Sequence, residues 1–367
     1  MPRAEIRRVG WLGLIGSVKL GVVSLTVLML LVVACTLAQV HLGTFGAVDV
    51  YIRRFFIYAV LPGTHWRVPV LPGGGFVGLV LAANLVAGLL LRPEWARARP
   101  GLFLSHLGVL LLVGGEFVTG AFADEALMSI EVGSSRGWAE SRRKFELALV
   151  DISDPARVRV YAIPASRLRR RGDVDDPRLP FRVGVEFDAA NARLDPAPGG
   201  GFTARPVPET TADDEMNTPA ATILLADRTR MLVSAQLEPA HFAHGGRRFT
   251  IALRPTRSYL PFALALKRFT HETYPGTDIP RNFASLVRLT DAERGEDRDA
   301  MISMNHPLRY RGRTFYQASY GKGDTLSIFQ VVRNTGWLLP YVSCALVALG
   351  LAWHFLILLR AGGRPRA

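Results

Sequence analysis

Residues 101–120 read GLFLSHLGVLLLVGGEFVTG, an apolar run long enough to cross a bilayer that nevertheless carries His106 and Glu116. Little water reaches such a position, so an imidazole there needs a partner for its ring nitrogens. Two roles satisfy it: axial ligation of haem iron, which suits imidazole, or a hydrogen bond to a neighbouring helix or the interface. Glu116 lies ten residues on, about 15 Å further along a helix axis and on another face. It cannot share a small site with His106, and water or a polar helix near the outer end accounts for it. His354, beside Trp353 in a later apolar run, raises the same choice. His41 and His65 fall in or near an outer loop where an external cofactor could approach. EPAHFAHGGRR (238–248) offers His241 and His244, but without a third ligand the pair is weak for a metal, and the following Gly-Gly reads as a hairpin turn.

Other chemistries are excluded. Only two cysteines occur, Cys35 and Cys344, both inside apolar runs. With no CxxC and no CxxCH, the chain is neither a thiol–disulfide carrier nor itself a c-type cytochrome. GxSxG, HExxH and phosphate-cradling loops are also absent, so no hydrolytic apparatus is expected.

The elements that must position these residues follow from patterning. Of 367 residues, 49% are hydrophobic, concentrated in four runs at about 17–39, 73–91, 102–120 and 337–359. Each approaches the roughly 20 residues that cross the hydrocarbon core. The second is interrupted by Asn84 and opens on glycines. The first has no small-residue cleavage site and is expected to be a retained anchor. Arg3, Arg7, Arg8, Lys19, Arg92, Arg97, Arg99, Arg360, Arg364 and Arg366 fall on one side, against Arg53, Arg54 and Arg67 in the opposite short loop. The asymmetry predicts cytoplasmic termini and an external segment 121–336, in an inner (cytoplasmic) membrane. The net charge of +13 is then mostly this topology signal, and a nucleic-acid groove is not indicated.

The loop 40–72 reads as an interfacial segment broken by Pro and Gly. Segment 121–336 alternates with period two, as in FRVGVEFDA (181–189) and RRFTIALRP (247–255), with further strands at 144–152, 157–164, 219–226, 261–269, 283–290, 312–319 and 325–333. An antiparallel β-rich, sandwich-like domain is expected. The polar, Pro/Gly-rich 195–217 reads as a long loop. The expected organisation is a three-helix membrane part (1–120), the β-domain (121–336) and a last span with a basic tail (337–367).

SMNHPLRYRGRTFYQASY (303–320) carries a pattern of Asn305, Pro307, Leu308, Tyr310, Gly312, Phe315, Tyr316, Gln317 and Ser319 that resembles the ResB family of cytochrome c biogenesis proteins. The likeness continues through 269–289 and 331–341, and through NLVAGLLLRP and LSHLGVLLLVGGEFVTG. As residues, Asn-x-Pro opens a turn, Gly312 takes a tight bend and TFYQAS returns as a strand, so Tyr316 and Gln317 read as packing and hydrogen-bonding positions. The resemblance implies an accessory, non-enzymatic subunit that works with a CcsA (ResC)-type membrane partner. Together they would move haem b outward and attach it to apocytochrome c. It also implies that His106 is a haem iron ligand, with the second ligand supplied by the partner. The rival expectation is a membrane-anchored β-domain that scaffolds another envelope complex without haem.

Overall fold

Residues 10–64, 66–92, 95–154, 157–212, 216–277 and 280–362 are described by a computed structural model of the chain. The four apolar runs become helices α1 (Val18–Val48), α2 (Gly74–Leu91), α3 (Pro100–Phe122) and α4 (Leu339–Gly362). Each is long and apolar enough to cross a membrane. Contacts divide the chain into a helical unit (1–123, 211–213 and 334–367) and a β unit (124–210 and 214–333). Arg3, Arg7, Arg8, His65, Arg364 and Arg366 lie outside the described residues.

In the helical unit Ser17 caps α1, accepting from the Leu20 amide (3.2 Å). Asn84, the polar interruption in the second run, donates from Nδ2 to the carbonyls of Ile15 and Ser17 (2.5 and 2.9 Å). Those carbonyls sit at the break before α1, where a short helix (Gly10–Ile15) ends. The amide thus satisfies backbone groups that the break leaves open. Helices α3 and α4 meet along small residues. A Cβ on Gly101 would fall 2.5 Å from the Gly350 carbonyl, and one on Gly350 would fall 2.5 Å from Ser105 Oγ. Such a stripe lets two backbones approach closely, which is how helices associate where water supplies no driving force.

The loop 40–72 departs from expectation. Helix α1 runs on to Val48 through a kink at Gly43 (φ 66°), followed by a π-helical turn, Asp49–Arg53. An antiparallel hairpin, β1 (Phe56–Val60) and β2 (Arg67–Pro72), completes it. Only glycine enters that positive-φ conformation freely, so the run is two helical stretches joined at Gly43.

The β unit opens with β3 (Asp124–Glu131), β4 (Ser135–Asp151), β5 (Arg159–Pro164), β6 (Gly172–Asp173) and β7 (Gly184–Ala189). Next come β8 (Ala192–Pro196), β9 (Phe202–Pro206), β10 (Ala220–Leu224), β11 (Arg230–Ser234), β12 (Ala240–His244) and β13 (Arg247–Thr273). The last are β14 (Pro280–Asp291), β15 (Glu296–Ser303), β16 (Leu308–Tyr310), β17 (Arg313–Gly321) and β18 (Leu326–Arg333). The large antiparallel sheet runs β15-β14-β13-β4-β3-β18-β17-β16, with β5 beside β4 and β12 beside β13. A second sheet runs β11-β10-β7-β6.

The long strands β4 and β13 serve two cores. Leu147, Leu149, Phe249, Ile251 and Leu253 pack with Val183, Val185 and Ile223 of the second sheet, a sandwich-like half. Beyond an irregularity at Pro255–Arg257, Phe262, Leu264 and Leu266 instead join Met128, Val287, Ile302, Phe315 and Phe329 inside the large sheet. Here the sheet curls so that β16 and β17 come against β14 and β15, and Ser303 and His306 pair across the tight turn that leads from β15 to β16. The expected antiparallel β-rich, sandwich-like domain is thus present as a sandwich-like half and a second, barrel-like half. Bulges re-aim the strands between them.

The expected long loop 195–217 also needs correction, because β8 and β9 form a hairpin through it. Gly200 and Gly201 turn at φ 88° and 79°. Arg205 pairs with Asp195 across the strands (3.1 Å). One face carries Ala192, Leu194, Pro196, Phe202, Ala204 and Pro206 and the other Arg193, Asp195, Thr203 and Arg205, but strands of five residues among prolines and glycines read as a loop.

Candidate functional site

His106 sits a turn and a half into α3, seven residues past Arg99 at the N-cap position. Its Nδ1 lies 2.8 Å from the Leu102 carbonyl oxygen. A carbonyl only accepts, so Nδ1 carries the proton and the ring lone pair is on Nε2. Metal-binding imidazoles are commonly oriented in this way: one nitrogen is fixed by a carbonyl and the other is the donor. The donor set therefore fits an axial ligand to haem iron.

The neighbourhood of His106 is defined by helix phase. Gly101, Ser105, Gly108 and Gly115 face α4, while His106 turns away from that stripe and shares its face with Val113 and Phe117. Phe117 reaches Gly78 of α2, so this face runs along α2. His354 is level with Gly101, since a Cβ there would fall 2.6 Å from the His354 amide nitrogen. His106 and His354 thus occupy the same end of the bundle on packed helices, separated by about 7.5 Å along the axis. Arg97 and Arg99 are exposed at that end. His41 is an exposed residue of α1.

The motif residues fall elsewhere, in the β unit. Leu308 and Phe315 point into the barrel-like core, Phe315 with no exposed surface. Arg311 (φ 44°) and Gly312 (φ 71°) make the turn between β16 and β17. Tyr310 donates from its hydroxyl to Asp291 Oδ2 (2.7 Å). Arg311 donates from Nη2 to Oδ1 of the same carboxylate (3.0 Å) and from Nη1 to Glu293 (2.7 Å), while its Nε lies 2.7 Å from Oδ2 as a charge contact without hydrogen-bond geometry. Gln317 is buried, accepting from Ser285 Oγ (2.7 Å) and donating to Ser327 Oγ (2.8 Å). Tyr310 and Gln317 both reach β14 from the far side of the sheet, which ties the closure together. Tyr316 departs from the packing expectation: it is exposed, because it alternates with the inward Phe315. Ser319 is exposed and its carbonyl accepts from Gln317 Nε2 (3.2 Å). Asn305 lines an open polar groove with Glu272, Arg281 and His306, and Pro307 follows the Ser303–His306 turn that leads into β16.

His241 and His244 lie on β12, with Gly245 and Gly246 turning into β13 at positive φ. His241 bonds Thr250 (3.1 Å) and His244 packs on the Phe181 ring. Among the described residues, no group of three His, Cys, Asp or Glu side chains could hold a metal. Sequence reasoning missed the closing carboxylate Asp291, whose partner Tyr310 is 19 residues away on another strand.

That node sets a pH dependence. Burial alone would raise the Asp291 carboxyl, but bonds from Tyr310 and the Arg294 amide and the Arg311 charge hold it below the usual 3.8. The hydrogen bond from Arg178 depresses Asp176 likewise. Burial and the bond to Asp291 push the Tyr310 hydroxyl up to about 12. A depressed acid contributes stability above its unfolded pKa and loses it as pH falls. A raised tyrosine contributes below 10 and loses it as pH climbs. Calorimetric unfolding of the full chain is expected to be flat from about pH 5 to 9 and to weaken on both sides. Asp291→Asn should blunt both limbs.

Four helices long and apolar enough to cross a membrane accompany a β unit that this motif helps to close, and part of that unit is similar to a known family. Residues 232–335, from within β11 to the turn before α4, match the ResB-like family. Protein NrfI of Wolinella succinogenes is 35% identical over 106 residues, 29% of this chain and 12% of that protein. Cytochrome c biogenesis protein CcsB of Synechococcus sp. (strain CC9311) is 47% identical over 58 residues, 16% of this chain and 13% of the relative. The CcsB of Picosynechococcus sp. is 41% identical over 63 residues, 17% and 13% of the two chains. The match thus spans about an eighth of the length of each of these relatives.

Proposed function

We propose that this chain is a ResB-like subunit of a cytochrome c biogenesis complex in a bacterial inner membrane, holding haem at His106 and helping to present it to apocytochrome c. The family match and the name of the CcsB relatives support the pathway. The single observation that supports the site is the bond from His106 Nδ1 to the Leu102 carbonyl, which directs the Nε2 lone pair outward from the ring for iron. Haem is cargo here: it brings the iron that imidazole ligates and the vinyl groups that cysteines of CxxCH take up.

This chain's own residues bind and orient. His106 fixes iron near the basic end of α3, where Arg97 and Arg99 can attract propionates. A second axial ligand would come from a CcsA (ResC)-type partner. The β-domain holds a rigid surface for the apocytochrome and supplies no bond-making group. Deleting the gene in its host and complementing with wild type or His106→Ala tests the reading by haem-stained gels of membrane fractions. Covalent haem should vanish on deletion, return with wild type and stay absent with His106→Ala. Normal covalent haem after deletion would favour the scaffold without haem.

A further inference from the structure

The helical unit contains an apolar cavity of about 490 Å³ at the opposite end of α3 from His106. Leu28 of α1, Gly78 of α2, and Val113 and Phe117 of α3 form its walls. Two charges line it. Glu116 projects from α3, and Arg53 comes from the π-helical turn. Neither forms an ion pair with the other or with a further group among the described residues; the Arg53 guanidinium lies 5.8 Å from the ring centroid of Phe45.

The glycines that open α2 are what bring Arg53 here. A Cβ on Gly74 would fall 2.5 Å from the Ile52 carbonyl, and one on Gly75 would fall 2.7 Å from the Arg53 carbonyl. Only bare backbone lets α2 start against that turn. The run of glycines that weakens the second span as a sequence is thus the feature that builds the cavity mouth.

An unpaired carboxylate in an apolar span is costly unless something pairs with it. An unpaired guanidinium beside the same cavity asks for the opposite charge. One ligand satisfies both: a molecule with an acyl body, a phosphate and an ammonium. We propose that this cavity binds a zwitterionic phospholipid of the phosphatidylethanolamine type, acyl chain among Leu28, Val113 and Phe117, phosphate on Arg53 and ammonium on Glu116. An anionic amphiphile such as haem would set its carboxylates against Glu116, so the site is distinct from the one proposed at His106 and stands without it.

The full chain, purified and delipidated, is titrated with phosphatidylethanolamine or phosphatidylglycerol and the retained lipids counted by native mass spectrometry. Wild type is expected to keep one phosphatidylethanolamine about tenfold more tightly than phosphatidylglycerol, the effect of one ion pair in a partly dry site. Glu116→Gln should abolish that preference, Arg53→Gln should weaken both lipids, and Val113→Trp, which fills the space, should lower retention of either. Circular dichroism keeps the comparison among folded variants. Equal retention of the two lipids by wild type, or a preference that survives Glu116→Gln, would overturn the proposal. So would stoichiometric displacement of the lipid by haemin.

Discussion

Replacing His106 with alanine is expected to strip haem from the complex purified with its membrane partner, lowering the Soret absorbance at least about tenfold. The size follows from what the substitution removes. Nε2 is the only group of α3 near that level with a lone pair suited to iron, and neighbouring Ser105 spends its hydroxyl on the Gly101 carbonyl (2.9 Å). The bond from Nδ1 to Leu102 is lost as well, but a side-chain bond to the i−4 carbonyl only duplicates an acceptor already used by the helix. Helix content and assembly should therefore be unchanged, so lost absorbance reports lost ligation. Ser105→Ala, one residue away on the face toward α4, should leave the spectrum intact.

Phe315→Ala is expected to cost about 3–5 kcal/mol, the range for emptying a fully buried phenylalanine. For a β unit of this size that lowers the Tm by about 6–20 °C. Phe315 has no exposed surface and meets Phe262 edge-on at 6.0 Å in the core that the curled sheet encloses. Tyr316→Ala, one position on, should change the Tm by about 2 °C or less, because its side chain faces outward. Calorimetry of the two variants thus separates the halves of the motif. If Tyr316→Ala also leaves cytochrome maturation intact, the motif acts by closing the sheet. If maturation falls while the Tm holds, the outward face contacts a partner.

The parts legible from sequence were those with a strong local signal. Four apolar runs gave four helices, and Arg-Gly at 311–312 gave the β16–β17 turn, since few residues tolerate the left-handed backbone a tight hairpin needs. Period-two runs such as Phe249, Ile251 and Leu253 gave the strands of the sandwich-like half. What stayed hidden depends on distance along the chain. Closure through Asp291 and Gln317 joins strands whose pairing no local pattern specifies, and the register shifts between β4 and β13 divide the cores that each strand faces. The β8–β9 hairpin escaped because its strands are five residues long and their alternation is broken up by prolines and glycines, which read as loop. At the helical end, Asn84 looked like a flaw in a span and is the group that satisfies the carbonyls before α1. Glu116 looked like a lone structural carboxylate until Arg53 was found lining the same cavity.

Small residues carry much of the helical unit, and their role is steric. Between α3 and α4 there is no room for a side chain at Gly101 or Gly350, so the level of His354 beside Gly101 is set by backbone contact. That packing holds the basic end of α3 in place, and with it the orientation of His106.

The most direct test is chemical rescue at His106. In the full chain purified with its membrane partner, His106→Gly is expected to lack the Soret band of bound haem and to regain it when free imidazole enters the vacated space and ligates the iron. A His106→Gly complex that keeps the wild-type spectrum before imidazole is added would contradict the assignment of this residue as the haem ligand.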